Sequence, residues 1–283
     1  MVVLGLWHEG WSDFMARTYF QSVVVQTRDL CSNVKHITFA PEGEEGFDYI
    51  PGQFVMIHFQ NEEGVEINRS YSISAVPGEV GGFSLCVKRV DFGKGSTLLH
   101  GLRVGDEIKT SGPFGRFTLR DESPDDIILV ATGTGIAPFR SMRDQIIKAS
   151  AHSRVWMLMG VRHGDELLYH DEWQDLDAFC PNIHYRAIVS QPRPEDNWGG
   201  PVGYVTAFMD ELADHIVPGR TTAYLCGVPP MIDAMRDVFV ERGLNRREIR
   251  TEKFASPPDP KKADEAAPAA VEFKPAIIKK KKP

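Results

Sequence analysis

The stretch Asn68-Arg69-Ser70-Tyr71-Ser72-Ile73-Ser74 sets a guanidinium, a phenol and three hydroxyls inside a segment with strand character. If it is extended, Arg69, Tyr71 and Ile73 share one face, and Ser70, Ser72 and Ser74 share the other. A half-buried strand ordinarily alternates apolar with polar residues. Here polar groups stand on both faces, which suits a strand that meets a polar ligand. Taken alone, the segment also reads as a barrel strand whose Arg and Tyr reach the surface.

Three further segments carry chemistry. In Gly93-Lys94-Gly95-Ser96-Thr97, two glycines free the backbone to approach an anion, and a helix N-terminus with its hydroxyls supplies donors. A diphosphate would suit it, and so would a plain glycine turn. In "ILVATGTGIAPFRSM" (128–142) an apolar strand empties into Gly133-Thr134-Gly135, and Pro138 stands near the start of a helix. A strand, glycine loop and helix at the carboxyl end of a parallel sheet form a nucleotide-binding arrangement. Pro138 replaces the third glycine of the dinucleotide fingerprint, so this is not that fingerprint. In "AYLCGVPPMIDAM" (223–235) a strand ends in Cys226-Gly227 before a proline-opened helix. That thiol either faces the same crevice or fills a core as a small hydrophobe.

Two kinds of element must position these residues. Residues 19–26, 34–39, 53–59, 68–74, 83–90 and 107–112 are short, β-rich and parted by turn signals, with one helical stretch at 96–102. They predict a small antiparallel barrel. From about Asp125, apolar strands at 126–132, 154–161, 183–190 and 222–227 each precede a helical segment, which predicts a parallel sheet covered on both faces. The expected divisions are a loose N-terminal extension (1–14), a barrel domain (15–122), an α/β domain (123–255) and a disordered tail (256–283). The extension has no secretory pattern, and Met15 reads as an alternative start. The tail is rich in Pro, Ala and Lys, with few core-forming residues.

The chain of 283 residues carries a net charge of -7, which argues against nucleic acid as a general partner. It has no apolar run of the roughly 18 residues a membrane helix needs, so membrane insertion is not expected. Cysteines 31, 86, 180 and 226 stand singly, without metal-ligand or iron–sulfur spacing. A reduced, cytoplasmic protein without its own metal is the expectation.

Arg-x-Tyr-Ser, Gly-Lys-Gly-Ser-Thr followed by "GPFGRF" (112–117), Gly-Thr-Gly-Ile-Ala-Pro-Phe and Cys-Gly-x-Pro-Pro-Met occur in that order. Together they resemble the ferredoxin–NADP reductase superfamily from about Tyr19 to Phe254. "GPFG", "GYVT" (203–206) and "EKF" (252–254) look most like the NADH-using FAD reductases of bacterial oxygenase systems. The resemblance implies an antiparallel Greek-key FAD-binding β-barrel, a parallel-sheet α/β nucleotide-binding domain and hydride transfer from NADH or NADPH to FAD. It implies that Arg69 pairs with the FAD diphosphate, that Tyr71 packs on the isoalloxazine and that Ser72 hydrogen-bonds near flavin N5. Gly95, Ser96 and Thr97 would hold the diphosphate, with Lys88 a further cofactor contact. Thr134, Gly135, Arg162 and Gly227 would contact the nicotinamide nucleotide, and Cys226 would face its ring. Glu252 and Phe254 would close the chain near the flavin, with Ser72, Cys226 and Glu252 as the catalytic set.

The resemblance also implies an electron-accepting partner, such as a ferredoxin or an oxygenase component. The alternatives are reduction of free flavins or small oxidants, and a flavin-binding subunit without turnover. NADP-using relatives tend to place arginines where this chain has Gln191 and Tyr204, which favours NADH. Arg162 remains as a cation, Arg193 is a possible substitute, and Asp165 and Glu166 nearby would repel a phosphate.

Overall fold

The computed structural model describes residues 19–43, 47–60, 64–91, 93–120 and 124–254; the expected N-terminal extension and tail lie outside these residues. Six strands come first: β1 (Tyr19–Cys31), β2 (Val34–Pro41), β3 (Phe54–Gln60), β4 (Glu66–Ser72), β5 (Phe83–Lys88) and β6 (Glu107–Phe114). Their order is β4-β3-β6-β1-β2-β5, all antiparallel. An Ile73–Leu85 bridge joins the two edges and closes the sheet into a barrel with Greek-key order. Alternate residues point inward, so Val24, Ile37, Phe39, Val55, Ile57, Phe83 and Leu85 fill the interior. Helix α1 (Lys94–Gly101) follows β5 and buries Leu99 in the same core.

The second unit is a five-stranded parallel sheet of order β11-β10-β7-β8-β9. Its strands are β7 (Asp126–Thr132), β8 (Arg154–Val161), β9 (Ile183–Val189), β10 (Thr221–Gly227) and β11 (Ile249–Lys253). Its helices are α2 (Ala137–Ser141), α3 (Arg143–Ala149), α4 (His170–Phe179) and α5 (Pro229–Glu241). α2, α3 and α4 cover one face through Phe139, Ile146 and Trp173. α5 covers the other through Ile232, Met235 and Phe239. The first of these cores also contains Val34 and Cys86 of the barrel, so the two units pack directly on each other.

The architecture is the expected one, with two differences. The crossover from β9 to β10 uses three short 3-10 turns, at Pro194–Asp196, Val205–Phe208 and Ala213–His215, where a helix was expected. "QPRPEDNWGGPVG" is too rich in Pro and Gly to hold a helix. The other difference is β11, whose sequence "IRTEK" is short and polar. It exists by parallel pairing to β10, with Cys226 opposite Glu252.

Candidate functional site

A cavity of about 1440 Å³ runs between the barrel and the α/β unit. On the barrel side it is lined by Arg69, Tyr71, Ser72 and Lys88, and by Gly95 and Ser96 at the start of α1. On the other side stand Thr132-Gly133-Thr134, Arg162, Gly203-Tyr204, and Glu252 with Phe254.

β4 holds its side chains in place by pairing to β3, with Val55 opposite Tyr71 and Phe54 opposite Ser72. Arg69 is exposed and Ser72 buried, so the strand runs from solvent into the domain junction. Gly95 lies against this strand. A Cβ there would stand 3.0 Å from Arg69 Cγ and 3.1 Å from Tyr71 Oη, so a larger residue would require these side chains to give by a few tenths of an ångström. The Ser96 hydroxyl donates to the Gly93 carbonyl at 3.0 Å and accepts from the Val90 amide, which fixes the turn. The N–H groups that open the first helical turn have no intrahelical acceptor, the arrangement by which a helix start receives an anion, and the Arg69 stem lies against Gly95 there. Thr97 is exposed and outside the cavity; its amide closes the turn onto Gly93.

Across the cavity, Gly133 adopts φ +53°, and nothing lies within 4 Å of where its Cβ would stand. The loop therefore presents bare backbone to a ligand. Gly135 and Gly227 are used differently, for packing. A Cβ on Gly135 would strike the Cys226 carbonyl, and one on Gly227 (φ +144°) would strike Thr132 Oγ1. They let the loop after β7 lie flat on the end of β10.

Ser72 Oγ donates to Glu252 Oε1 at 2.6 Å, and Cys226 Sγ lies 4.0 Å from the same oxygen. Burial pushes the Glu252 carboxyl above its ordinary value, partly offset by the Ser72 hydrogen bond. Burial pushes the Cys226 thiol well up and Glu252 adds to this, so the thiol is neutral. The Tyr71 phenol is pushed up to about 12 by burial, against the pull of Arg69. The three expected catalytic groups thus meet at the junction, with Cys226 fully buried behind Glu252.

Lys88 is placed at the cavity but is engaged, its ammonium 2.6 Å from Glu166 Oε1. Arg193, the possible substitute, is engaged: it donates to Asp165 at 2.7 Å and to Asp196 at 3.0 Å. Asp165 and Glu166 therefore have partners other than Arg162. Among the described residues no carboxylate pairs with Arg162, which lines the cavity. Sequence reasoning missed the interdomain contacts of Arg140, Glu79, Tyr169 and His36. Nothing in the local sequence marks them, because they meet only once both domains have formed.

The cavity is lined by Arg69 and the start of α1, by bare glycine backbone at Gly133 and by the Ser72–Glu252 pair. It fits a flavin dinucleotide and a pyridine nucleotide. Among the described residues no cluster of three or more His, Cys, Asp or Glu could hold a metal. No helix among them is long and apolar enough to cross a membrane.

Comparison with known proteins gives the same division. Residues 21–119 match the oxidoreductase FAD-binding domain family, and residues 129–237 match the oxidoreductase NAD-binding domain family. The chain is 32% identical over 240 residues to ferredoxin--NADP reductase B of Sorangium cellulosum, covering 83% of this chain and 97% of that protein. It is 30% identical over 241 residues to the phenol hydroxylase P5 protein of Acinetobacter pittii, covering 85% of this chain and 67% of that one. In fold it is similar to a ferredoxin NADP+ reductase from Neisseria gonorrhoeae with bound FAD and NADP, with a TM-score of 0.71 and 19% identity. That match covers 83% of this chain and 98% of the other. An Amycolatopsis cytochrome P450 reductase also has a TM-score of 0.71, at 23% identity over 84% of this chain and 70% of that one. With the motifs and the cavity between its two domains, these matches place the chain in the ferredoxin–NADP reductase superfamily as an FAD-dependent NAD(P)H oxidoreductase.

Proposed function

We propose that this reductase takes its hydride from NADH and passes electrons singly to an acidic protein of the ferredoxin or oxygenase-component kind. Residues 15–122 would form the FAD domain and residues 123–255 the nucleotide domain. The observation that carries the reading is one cavity touched by Arg69, Tyr71 and Ser72 on one side and by Thr134 and Arg162 on the other. When bound, FAD supplies a two-electron acceptor able to release electrons one at a time.

Each residue then has a task. Arg69 offers a forked guanidinium to a diphosphate, aided by the helix start at Gly95 and Ser96. Tyr71 gives a ring face for an isoalloxazine. Thr134 and the bare backbone at Gly133 hold the nicotinamide nucleotide. Ser72 Oγ donates its proton to Glu252 Oε1 on the cavity wall, where the pair would face the bound ligands. Cys226 and Phe254 limit water there.

A second cavity, of about 480 Å³, supports the acidic partner. It is lined by Arg116, Arg120, Arg246, Arg247 and Arg250, and it shares Phe54 and Glu252 with the first cavity. Five arginines beside the redox site of a chain with net charge -7 make a local field opposite to that of the whole. The test is reduction of an acidic [2Fe–2S] ferredoxin against reduction of a small dye. Charge reversal of Arg246 and Arg247 should lower kcat/KM for the ferredoxin on the order of 10-fold and leave the dye rate unchanged. Ferredoxin reduction indifferent to both charge reversal and salt would count against the proposal.

A further inference from the structure

Arg140 is one of the most enclosed charges in the protein. It belongs to α2 of the nucleotide domain and is 5% exposed. Its Nε donates to both carboxylate oxygens of Glu172 in α4, at 3.1 and 3.0 Å. Its Nη1 and Nη2 cross to the barrel and donate to Glu79 Oε2 and Oε1, at 2.9 and 2.7 Å. Nη1 also donates to the Ser74 carbonyl at 2.8 Å. The guanidinium lies 4.8 Å from the centre of the Tyr169 ring.

Burial opposes this charge, but hydrogen bonding to Glu79 and the field of Glu172 hold it firmly protonated. Two carboxylates, one from each domain, thus flank one cation. Such an arrangement is costly to assemble and more costly to leave half-made. A surface staple would need none of it.

The position of Arg140 shows what it fixes. Ser74 is two residues beyond Ser72 on the flavin strand, and Arg140 is six residues beyond Thr134 on the nucleotide loop. A single guanidinium therefore ties the segment just after Ser72 to the helix just after Thr134. Lys88–Glu166, the other close interdomain ion pair described above, touches neither segment.

We propose that Arg140 is a positioning residue for hydride transfer, setting the spacing between the strand that carries Ser72 and the loop that carries Thr134. The inference rests on the assignment of hydride transfer from nicotinamide C4 to flavin N5. In that step one hydride, with its two electrons, leaves the nicotinamide, which is oxidised, and arrives on the flavin, which is reduced. A spacing error of about 1 Å between reacting groups can cost up to 100-fold in rate.

The experiment compares Glu79→Gln with Glu172→Gln. Each weakens one arm of Arg140, and only the first arm crosses between domains. In FAD-loaded Glu79→Gln, rapid-mixing reduction by NADH should slow at least about 10-fold, while the Kd for NADH stays within about two-fold. Its kinetic isotope effect with deuterated nucleotide should become more temperature-dependent. Amide exchange in residues 72–76, measured without nucleotide, should rise. Glu172→Gln should keep reduction within about two-fold of wild type and leave exchange in 72–76 unchanged, even at an equal loss of Tm. Arg140→Lys, which cannot fork to Glu79 and reach Ser74 together, should behave as Glu79→Gln does. Equal rates in all variants, or slowing that merely follows lost Tm in both Gln variants, would overturn the inference. If wild-type protein accepts no hydride, it is the functional assignment that fails.

Discussion

Ser72 Oγ and Glu252 Oε1 are 2.6 Å apart although 180 positions separate them in sequence. One residue ends β4 of the barrel and the other lies in the last strand of the α/β unit. The hydrogen bond therefore exists only when the two domains are docked, and it sits on the wall of the cavity.

Its electrostatics give a signed prediction. Burial raises the Glu252 pKa, and the Ser72 hydroxyl lowers it by favouring the carboxylate. Ser72→Ala removes the lowering contribution, so the acidic limb of the pH–rate profile should move to higher pH. Because the folded-state value is raised, the folded protein holds this proton after the unfolded chain has released it. Stability therefore falls as pH rises through that window, and Glu252→Gln should abolish the fall. A limb that stays in place in Ser72→Ala, followed by stopped-flow across mildly acidic pH, would contradict the assignment.

Flavin retention depends on the barrel strand. Arg69→Ala should weaken FAD binding by roughly 1.5–3 kcal/mol, the worth of a charge-assisted hydrogen bond. Tyr71→Ala should loosen it further by removing a ring face. Gel filtration followed by the flavin-to-protein absorbance ratio checks both. Full occupancy in the double variant would contradict these roles.

His36 predicts acid sensitivity at the domain junction. Its Nδ1 lies 2.9 Å from the Tyr169 hydroxyl. Burial, and then the charges of Arg140 and Arg28, lower its pKa from 6.5 to about 4 against a smaller opposing effect of Glu79. The unfolded chain thus binds a proton between these values that the folded protein does not. Stability is complete above 6.5 and is lost as pH falls toward 4, by about 3 kcal/mol at the lower end. His36→Phe should lose less over the same interval in denaturant titrations. Parallel losses in both proteins would assign the acid sensitivity elsewhere.

The nucleotide preference follows from occupied cations. Arg193 is spent on Asp165 and Asp196, and Gln191 stands where NADP-using relatives tend to carry an arginine. Arg162, at the cavity wall and with no carboxylate partner among the described residues, remains for a 2′-phosphate. kcat/KM should be higher for NADH than for NADPH, and Arg162→Ala should lower the NADPH value more. A higher value for NADPH would refute this.

The sequence made the strands legible because the barrel strands are β-rich and bounded by turns, although β1 runs on to Cys31, past the expected 19–26, and each strand from β7 to β10 is an apolar run. The site was legible where local geometry imposes a residue type, as at Gly95 against Arg69 and at Gly133 with its positive φ. β11 was not, since "IRTEK" becomes a strand only by pairing with β10, more than twenty residues earlier. Arg140 looked like an ordinary helix residue in "APFRSM". Its burial follows from Glu79 and Ser74, more than sixty positions away on another domain. Lys88 lines the cavity, but no local pattern announces its pairing with Glu166.

The central claim is that one interdomain cavity receives a hydride from a pyridine nucleotide and stores it on FAD. Anaerobic rapid mixing of FAD-loaded protein with NADH tests this most directly. The flavin absorbance should bleach in a fast phase, at a rate that saturates with NADH and is slowed by a deuterated nucleotide. Protein that binds FAD but keeps its full colour with both NADH and NADPH would contradict the account.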